Sequence, residues 1–135
     1  DSIHIFNTHF DHIGIESRKM SAKLILNKII EYGLNDTKVV VMGDLNSTLI
    51  SDPITILRKE LDYGFEISEN KFYGPLGTFN GFKNNLEIKN RIDYIFTKKI
   101  KIISYRHIDD KRLNNLCVSD HLPVLIKIKN TTANN

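Results

Sequence analysis

Val39-Val40-Val41-Met42-Gly43-Asp44-Leu45-Asn46 is a continuous apolar run, rich in β-branched residues, that stops abruptly at a glycine and an aspartate. Four apolar residues in a row without alternation read as a strand buried on both faces. Gly43 and the polar residues after it mark the strand's C-terminal end, which is where open α/β sheets present their ligand-binding groups. Working upstream, Ser2 to Thr8 reads as a second buried strand that runs into the polar cluster His9-Phe10-Asp11-His12. Between the two strands Ala22, Ile25, Leu26, Ile29 and Ile30 recur at helical spacing, with Ser17 as the N-cap and Gly33 as the C-terminal stop. This pattern predicts an amphipathic helix covering a sheet.

Downstream, Ser51-Asp52-Pro53 places a cap and a proline at the start of a short helix through Ile54, Ile56, Leu57 and Leu61. Gly74-Pro75-Leu76-Gly77 is a turn signal, after which Arg91 to Thr97, Lys101 to His107 and Pro123 to Lys129 each read as strands. The order of elements predicts an α/β (α+β) sandwich in which helices cover one face of a sheet. No internal repeat or interior linker divides the chain. One folded unit over residues 1–129 with a polar tail over residues 130–135 is the expected organisation.

A chain of 135 residues, 41% hydrophobic and 26% charged, has ordinary globular composition and enough apolar material for one modest core. Its net charge of +3 is a mild bias toward anionic partners such as phosphorylated substrates. Cys117 is the only cysteine, so no intramolecular disulfide forms, and a buried structural thiol is expected. No apolar run approaches the roughly 20 residues of a membrane helix. Five histidines without an HExxH or paired-cysteine spacing argue against a structural zinc site.

Four motifs fall at strand boundaries: Asn7-Thr8-His9, Gly43-Asp44-Leu45-Asn46, Arg91-Ile92-Asp93-Tyr94 and Ser119-Asp120-His121. Each alone has a bland structural explanation. In this order and combination they resemble the endonuclease/exonuclease/phosphatase superfamily of deoxyribonuclease I-like metal-dependent phosphoesterases. The resemblance runs from Asn-Thr-His to the terminal Ser-Asp-His-Leu-Pro-Val, with further likeness in Gly77-Thr78-Phe79-Asn80. It implies a two-sheet, four-layer α/β/β/α sandwich of which this chain is the second, C-terminal half.

The resemblance also implies a divalent-metal-dependent hydrolase of phosphoester bonds, a phosphodiesterase, nuclease or phosphatase. On that basis Asp44 would orient and deprotonate the attacking water, and Asn46 would donate an amide hydrogen bond to the same phosphate. His121 would sit beside the phosphate, held in tautomer by Asp93, while His9 donates from the opposite side. Asp120 would contribute to binding Mg²⁺ or Mn²⁺, which favour oxygen ligands. Phe79 matches a position near the substrate, and Arg91 is expected in a structural ion pair.

Implied partners are a phosphorylated substrate (nucleic acid, nucleotide, phospholipid or sugar phosphate) and the missing N-terminal half of the same domain, which would supply the principal metal ligand. Without that half, an exposed sheet face and self-association are expected. The segments Lys83 to Arg91 and Lys98 to Lys101 are only modestly basic, which does not single out nucleic acid. The alternative is a non-catalytic phosphate- or nucleic-acid-binding module with the same fold. Retention of all six polar groups argues against it, because such groups are costly to bury and easily lost.

Overall fold

The computed structural model describes residues 2–83 and 87–129. The expected polar tail and residues 84–86 of the basic segment lie outside the described residues. Strand β1 (Ile3–His9) is followed by helix α1 (Ile15–Glu31) and strand β2 (Lys38–Asp44), and β1 and β2 pair in parallel. Helix α2 (Asp52–Leu57), strand β3 (Asp62–Tyr63) and helix α3 (Gly64–Ile67) come next. Strand β4 (Asp93–Lys98) then returns antiparallel to both β2 and β3, which completes a sheet of order β1-β2-β4-β3. Strands β5 (Ile102–His107) and β6 (Val124–Ile128) form a second, antiparallel sheet.

The β-branched run lies at the heart of the larger sheet. Val39, Val40 and Val41 are all buried, each contributing on the order of 1.5–3 kcal/mol by leaving water. Ala22, Ile25 and Ile29 form the buried stripe of α1. A second part of the core is aromatic: Tyr63 packs on Phe96 at 5.3 Å between ring centroids, Phe65 on Phe72 at 4.6 Å, and Tyr105 edge-on to Tyr63 at 6.2 Å. Tyr105 of β5 thereby joins the small sheet to the large one, and its hydroxyl accepts the N–H of Ile95 at 3.3 Å. Strand β1, expected to be buried, instead alternates, leaving Ile3 and Ile5 exposed at 39% and 60% because it forms the edge of the sheet beside β2 alone. Among the described residues no helix is long and apolar enough to cross a membrane.

Local chemistry moved some boundaries. Helix α1 starts at Ile15 with Gly14 as N-cap, not at Ser17, which lies inside the first turns. The cause is Asp11, whose carboxylate accepts the N–H of Ile13 at 2.8 Å and folds over the helix start. A Cβ at Gly14 would lie 2.6 Å from that carboxylate. At the other end Gly33 stops the helix as expected, in the left-handed region at φ +67, with Gly33 N–H bonded to Ile30 O and Leu34 N–H to Ile29 O. Helix α2 ends at Leu57, and Leu61 is buried from the turn that leads into β3. Strand β4 begins at Asp93 and not at Arg91, because the N–H groups of Ile92 and Asp93 both turn to the hydroxyl of Thr78. Cys117 is half-buried.

Candidate active site

Register brings three of the four motifs together. In the parallel pair His9 is the partner of Asp44, and in the antiparallel pair Asp44 is the partner of Asp93. Partners across a ladder point to the same face, so His9, Asp44 and Asp93 form one row across three strands at one end of the sheet. His121 arrives from the segment before β6 through a bridge to Phe79. Its Nδ1 lies 2.9 Å from Asp93 Oδ2 and its Nε2 lies 3.8 Å from Asp44 Oδ2. His9 Nε2 approaches that same Asp44 oxygen at 3.3 Å.

The turn after β2 is built for close approach. Gly43 has φ +135, and a Cβ there would lie 1.9 Å from the carbonyl oxygen of Thr8, so only glycine allows β1 to pair at that point. The ladders continue past the strand end through Phe10 N–H to Asp44 O and Leu45 N–H to Ile92 O, both 2.8 Å. Asn46 follows at φ +44, a left-handed conformation that asparagine tolerates better than most residues. Its backbone N–H donates to Asp44 Oδ1 at 2.8 Å, and its side-chain amide donates to Phe10 O at 2.9 Å and to Asp44 Oδ2 at 3.3 Å. The carboxamide therefore holds the Asp44 carboxylate and closes the turn.

Burial pushes the Asp44 carboxyl above its ordinary value; the Asn46 N–H opposes this and the charge of Asp93 adds to it. For His121, burial works against the charged ring, but the hydrogen bond and charge of Asp93, with the charges of Asp44 and Asp120, outweigh it and raise the imidazole above its ordinary value. Asp44, Asp93 and His121 offer ligand atoms that all lie within 4.8 Å of one another, the group among the described residues able to hold a metal ion. Asp120 is not in that group. Its carboxylate receives the Ser119 hydroxyl at 3.4 Å, and its carbonyl receives the Asn80 N–H at 2.8 Å.

Phe79 lies next to the row, its ring edge-on to His121 at 5.0 Å between centroids. A cavity of about 210 Å³ lined by Asn7, Met42, Asp93, Tyr94, Leu122 and Val124 adjoins the same end of the sheet. Arg91 forms no carboxylate pair among the described residues: Nε donates to Leu76 O at 2.7 Å, Nη1 donates to Tyr63 Oη at 2.8 Å, and the guanidinium lies 4.1 Å from the centre of the Phe65 ring. Two buried polar residues that flank Phe79 were not legible as site residues. Thr78 bonds the start of β4, and Asn80 donates to Ser119 O at 3.0 Å, so both clasp the site from behind. The alternation of polar and aromatic in Thr78-Phe79-Asn80 was the available signal.

The chain is similar to known proteins along most of its length. A curated relative, an uncharacterized protein of Acanthamoeba polyphaga mimivirus, is 30% identical over 90% of this chain and 47% of its own length. Among solved structures, a mannosyl-6-phosphatase of Bacteroides thetaiotaomicron superposes with a TM-score of 0.82 at 28% identity, covering 93% of this chain and 50% of that one. A beta toxin variant of Staphylococcus aureus, solved with bound magnesium ions, superposes at 0.68 and 18% identity over 96% of this chain and 54% of that one, a likeness of fold alone. The chain thus spans about half the length of these relatives, and its mixed α/β architecture with two sheets is about half of the deoxyribonuclease I-like fold of the solved structures. A model described as the Endonuclease/Exonuclease/phosphatase family matches residues 6–121, from the middle of β1 to the imidazole beside Asp93, and to that family the chain belongs.

Proposed function

We propose that this chain is the C-terminal half of an enzyme that hydrolyses phosphoester bonds with Mg²⁺ or Mn²⁺, with His9, Asp44, Asn46, Asp93, Asp120 and His121 as its working groups. One observation carries the reading: Asp44 Oδ2 lies 3.3 Å from His9 Nε2 and 3.8 Å from His121 Nε2, with Asp93 2.9 Å behind the second ring. A carboxylate and two imidazoles converge on one point at a strand end.

In this reading Asp93 accepts the Nδ1 proton of His121 and fixes which nitrogen faces the substrate. The raised imidazole then presents Nε2–H to a phosphate oxygen, where charge grows in the transition state. Asp44, whose charged form is disfavoured by burial, takes the proton of the attacking water. Asn46 moves its amide from Asp44 to a phosphate oxygen, and His9 donates from the other side. The carboxylates of Asp44 and Asp93, with Asp120 beside His121, are oxygen donors of the kind a hard divalent cation prefers, and two acids facing each other across β2 and β4 favour positive charge between them. A cation held by these carboxylates would supply neutralisation of the phosphate and stabilisation of charge on the leaving oxygen.

The remainder of the domain packs on the face that carries exposed Ile3 and Ile5 and completes the ligand set. The likeness to a mannosyl-6-phosphatase makes a sugar phosphate the first substrate to try. The deciding experiment assays the longer protein that contains this segment, with saturating Mg²⁺, against sugar monophosphates, bis(4-nitrophenyl) phosphate and short oligonucleotides. Turnover of one class, abolished by chelation and by Asp44→Asn, is expected. Binding of phosphorylated ligands without turnover would replace the enzyme by a binding module.

A further inference from the structure

We infer that Thr78 is the positioning residue of the Asp93–His121 pair, acting through a buried hydroxyl that holds the start of β4. The inference rests on the phosphoesterase reading for its catalytic meaning and on geometry for its substance. Thr78 is fully buried. Its Oγ1 accepts the N–H of Ile92 and the N–H of Asp93, both at 3.1 Å. Its carbonyl accepts the N–H of Leu122, the residue after His121, at 2.7 Å, and its own N–H donates to Asn90 O at 2.8 Å. One residue therefore grips the backbone of Asp93 directly and that of His121 one residue away.

The need for this grip follows from where β4 begins. Ile92 and Asp93 precede or open the ladder, so their N–H groups require an acceptor from outside the strand. Leaving such donors unpaired costs about 1–3 kcal/mol each. A threonine oxygen has two acceptor sites and takes both donors. This fixes the peptide planes on either side of Ile92, and with them the direction in which the Asp93 carboxylate leaves the strand. Because Asp93 Oδ2 and His121 Nδ1 are 2.9 Å apart, a displacement of about 1 Å would break their bond. Asn80 restrains only the far side of the loop, through Ser119 and Asp120. Thr78 alone among these residues touches both approaches to the pair.

The test compares Thr78→Val, which keeps shape and removes the acceptor, with Thr78→Ser, which keeps the acceptor. The readout is the low-field proton resonance of the His121 Nδ1–H in the metal-free protein, identified by its loss in Asp93→Asn. That signal should disappear in T78V and persist in T78S, while the amide spectrum of the sheet core stays native in both. In the longer, metal-loaded enzyme, kcat should fall roughly tenfold or more in T78V with KM unchanged, and T78S should restore it. A folded T78V that keeps the resonance, or a T78S that loses it equally, overturns the inference. Should T78V not fold, amide exchange in the unmodified protein decides: fast exchange of the Ile92 and Asp93 N–H overturns the proposal, and protection that survives in T78S supports it. If the resonance behaves as expected and no phosphoester is cleaved, the positioning role stands and the reaction class falls.

Discussion

Asp44 and Asp93 face each other across β2 and β4, the last residue of one strand opposite the first of the other. Two acids in register repel unless a cation or a proton lies between them. The Asp44 carboxyl is already raised by burial and by its neighbour, so its charged form costs the fold stability at neutral pH. For an acid raised in the folded state, that cost is present above the folded pKa and relieved as pH falls through it. Asp44→Asn should therefore leave the metal-free thermal midpoint equal to or higher than that of the parent, while kcat of the complete enzyme falls about a hundredfold or more. Calorimetry paired with steady-state kinetics checks both halves; a midpoint lowered by several degrees would refute the electrostatic account.

His121 and Asp93 should separate by role. If His121 serves the transition-state charge as proposed, truncating it to Ala should drop kcat by about a hundredfold or more with little change in KM. Asp93→Asn keeps the ring and loses its orienting acceptor, and should be milder. Saturation kinetics of both variants with Mg²⁺ in excess would show the order; the reverse order would assign the main role to Asp93.

Arg91 should matter to stability more than to turnover. Its guanidinium bridges Leu76 O, the Tyr63 hydroxyl and the Phe65 ring, joining the turn before Thr78 to the aromatic core. Two hydrogen bonds at about 1 kcal/mol each and a cation–π contact make Arg91→Ala a loss of roughly 2 kcal/mol or more. Urea unfolding measures this, and a loss below about 0.5 kcal/mol would make the bridge incidental.

His107 gives the fold an acid-sensitive point. The ring is fully buried between Phe72 and Tyr105, with Nδ1 2.7 Å from Pro75 O, and no partner for Nε2 is found among the described residues. Burial, helped by Arg91, lowers its pKa against the opposing pull of the Pro75 carbonyl and Asp93. A base lowered in the folded state takes its proton more readily when unfolded, so its contribution is intact above the unfolded value of about 6.5 and is lost as pH falls below it. His121, raised, acts in the opposite sense and loses its contribution as pH rises. Comparing His107→Asn with the parent isolates the first effect, since an amide can still donate to Pro75 O. The parent's advantage should shrink between pH 7.5 and pH 5.5; a constant difference would rule out the titration.

The parts of the molecule legible in the sequence are those fixed by local pattern. Val39 to Met42 read directly as a buried strand ending at Asp44, whereas the meeting of His9 and Asp93 with it was implied by the motifs' resemblance and not by pattern, since the register that aligns them involves three strands far apart in sequence. The start of α1 was misread because it depends on Asp11 reaching forward over Gly14, a side-chain choice that periodicity does not record. Strand β3 and helix α3 escaped notice because two and four residues are too few to show a period, and they exist through the aromatic packing of Tyr63 and Phe65. Asn46 was recognisable as a site residue, but its hold on Phe10 O required the return of β1 from 36 positions away. Thr78 was hidden for the same reason: a hydroxyl names no acceptor until the strand it serves arrives.

The 1.9 Å that would separate a Cβ at Gly43 from Thr8 O has a mechanical meaning. With no side chain between them and seven residues in register, β1 and β2 form a single stiff plate that carries His9 and Asp44 together. The facing wall, made of Phe79, Asn80 and the Ser119–His121 segment, is tied together by Asn80 to Ser119 and Asp120 and by Leu122 to Thr78, and meets the plate through His121 and Asp93. Any side chain in place of Gly43 would therefore part the two strands next to the row of His9 and Asp44, splitting the plate while the wall behind His121 kept its own bonds.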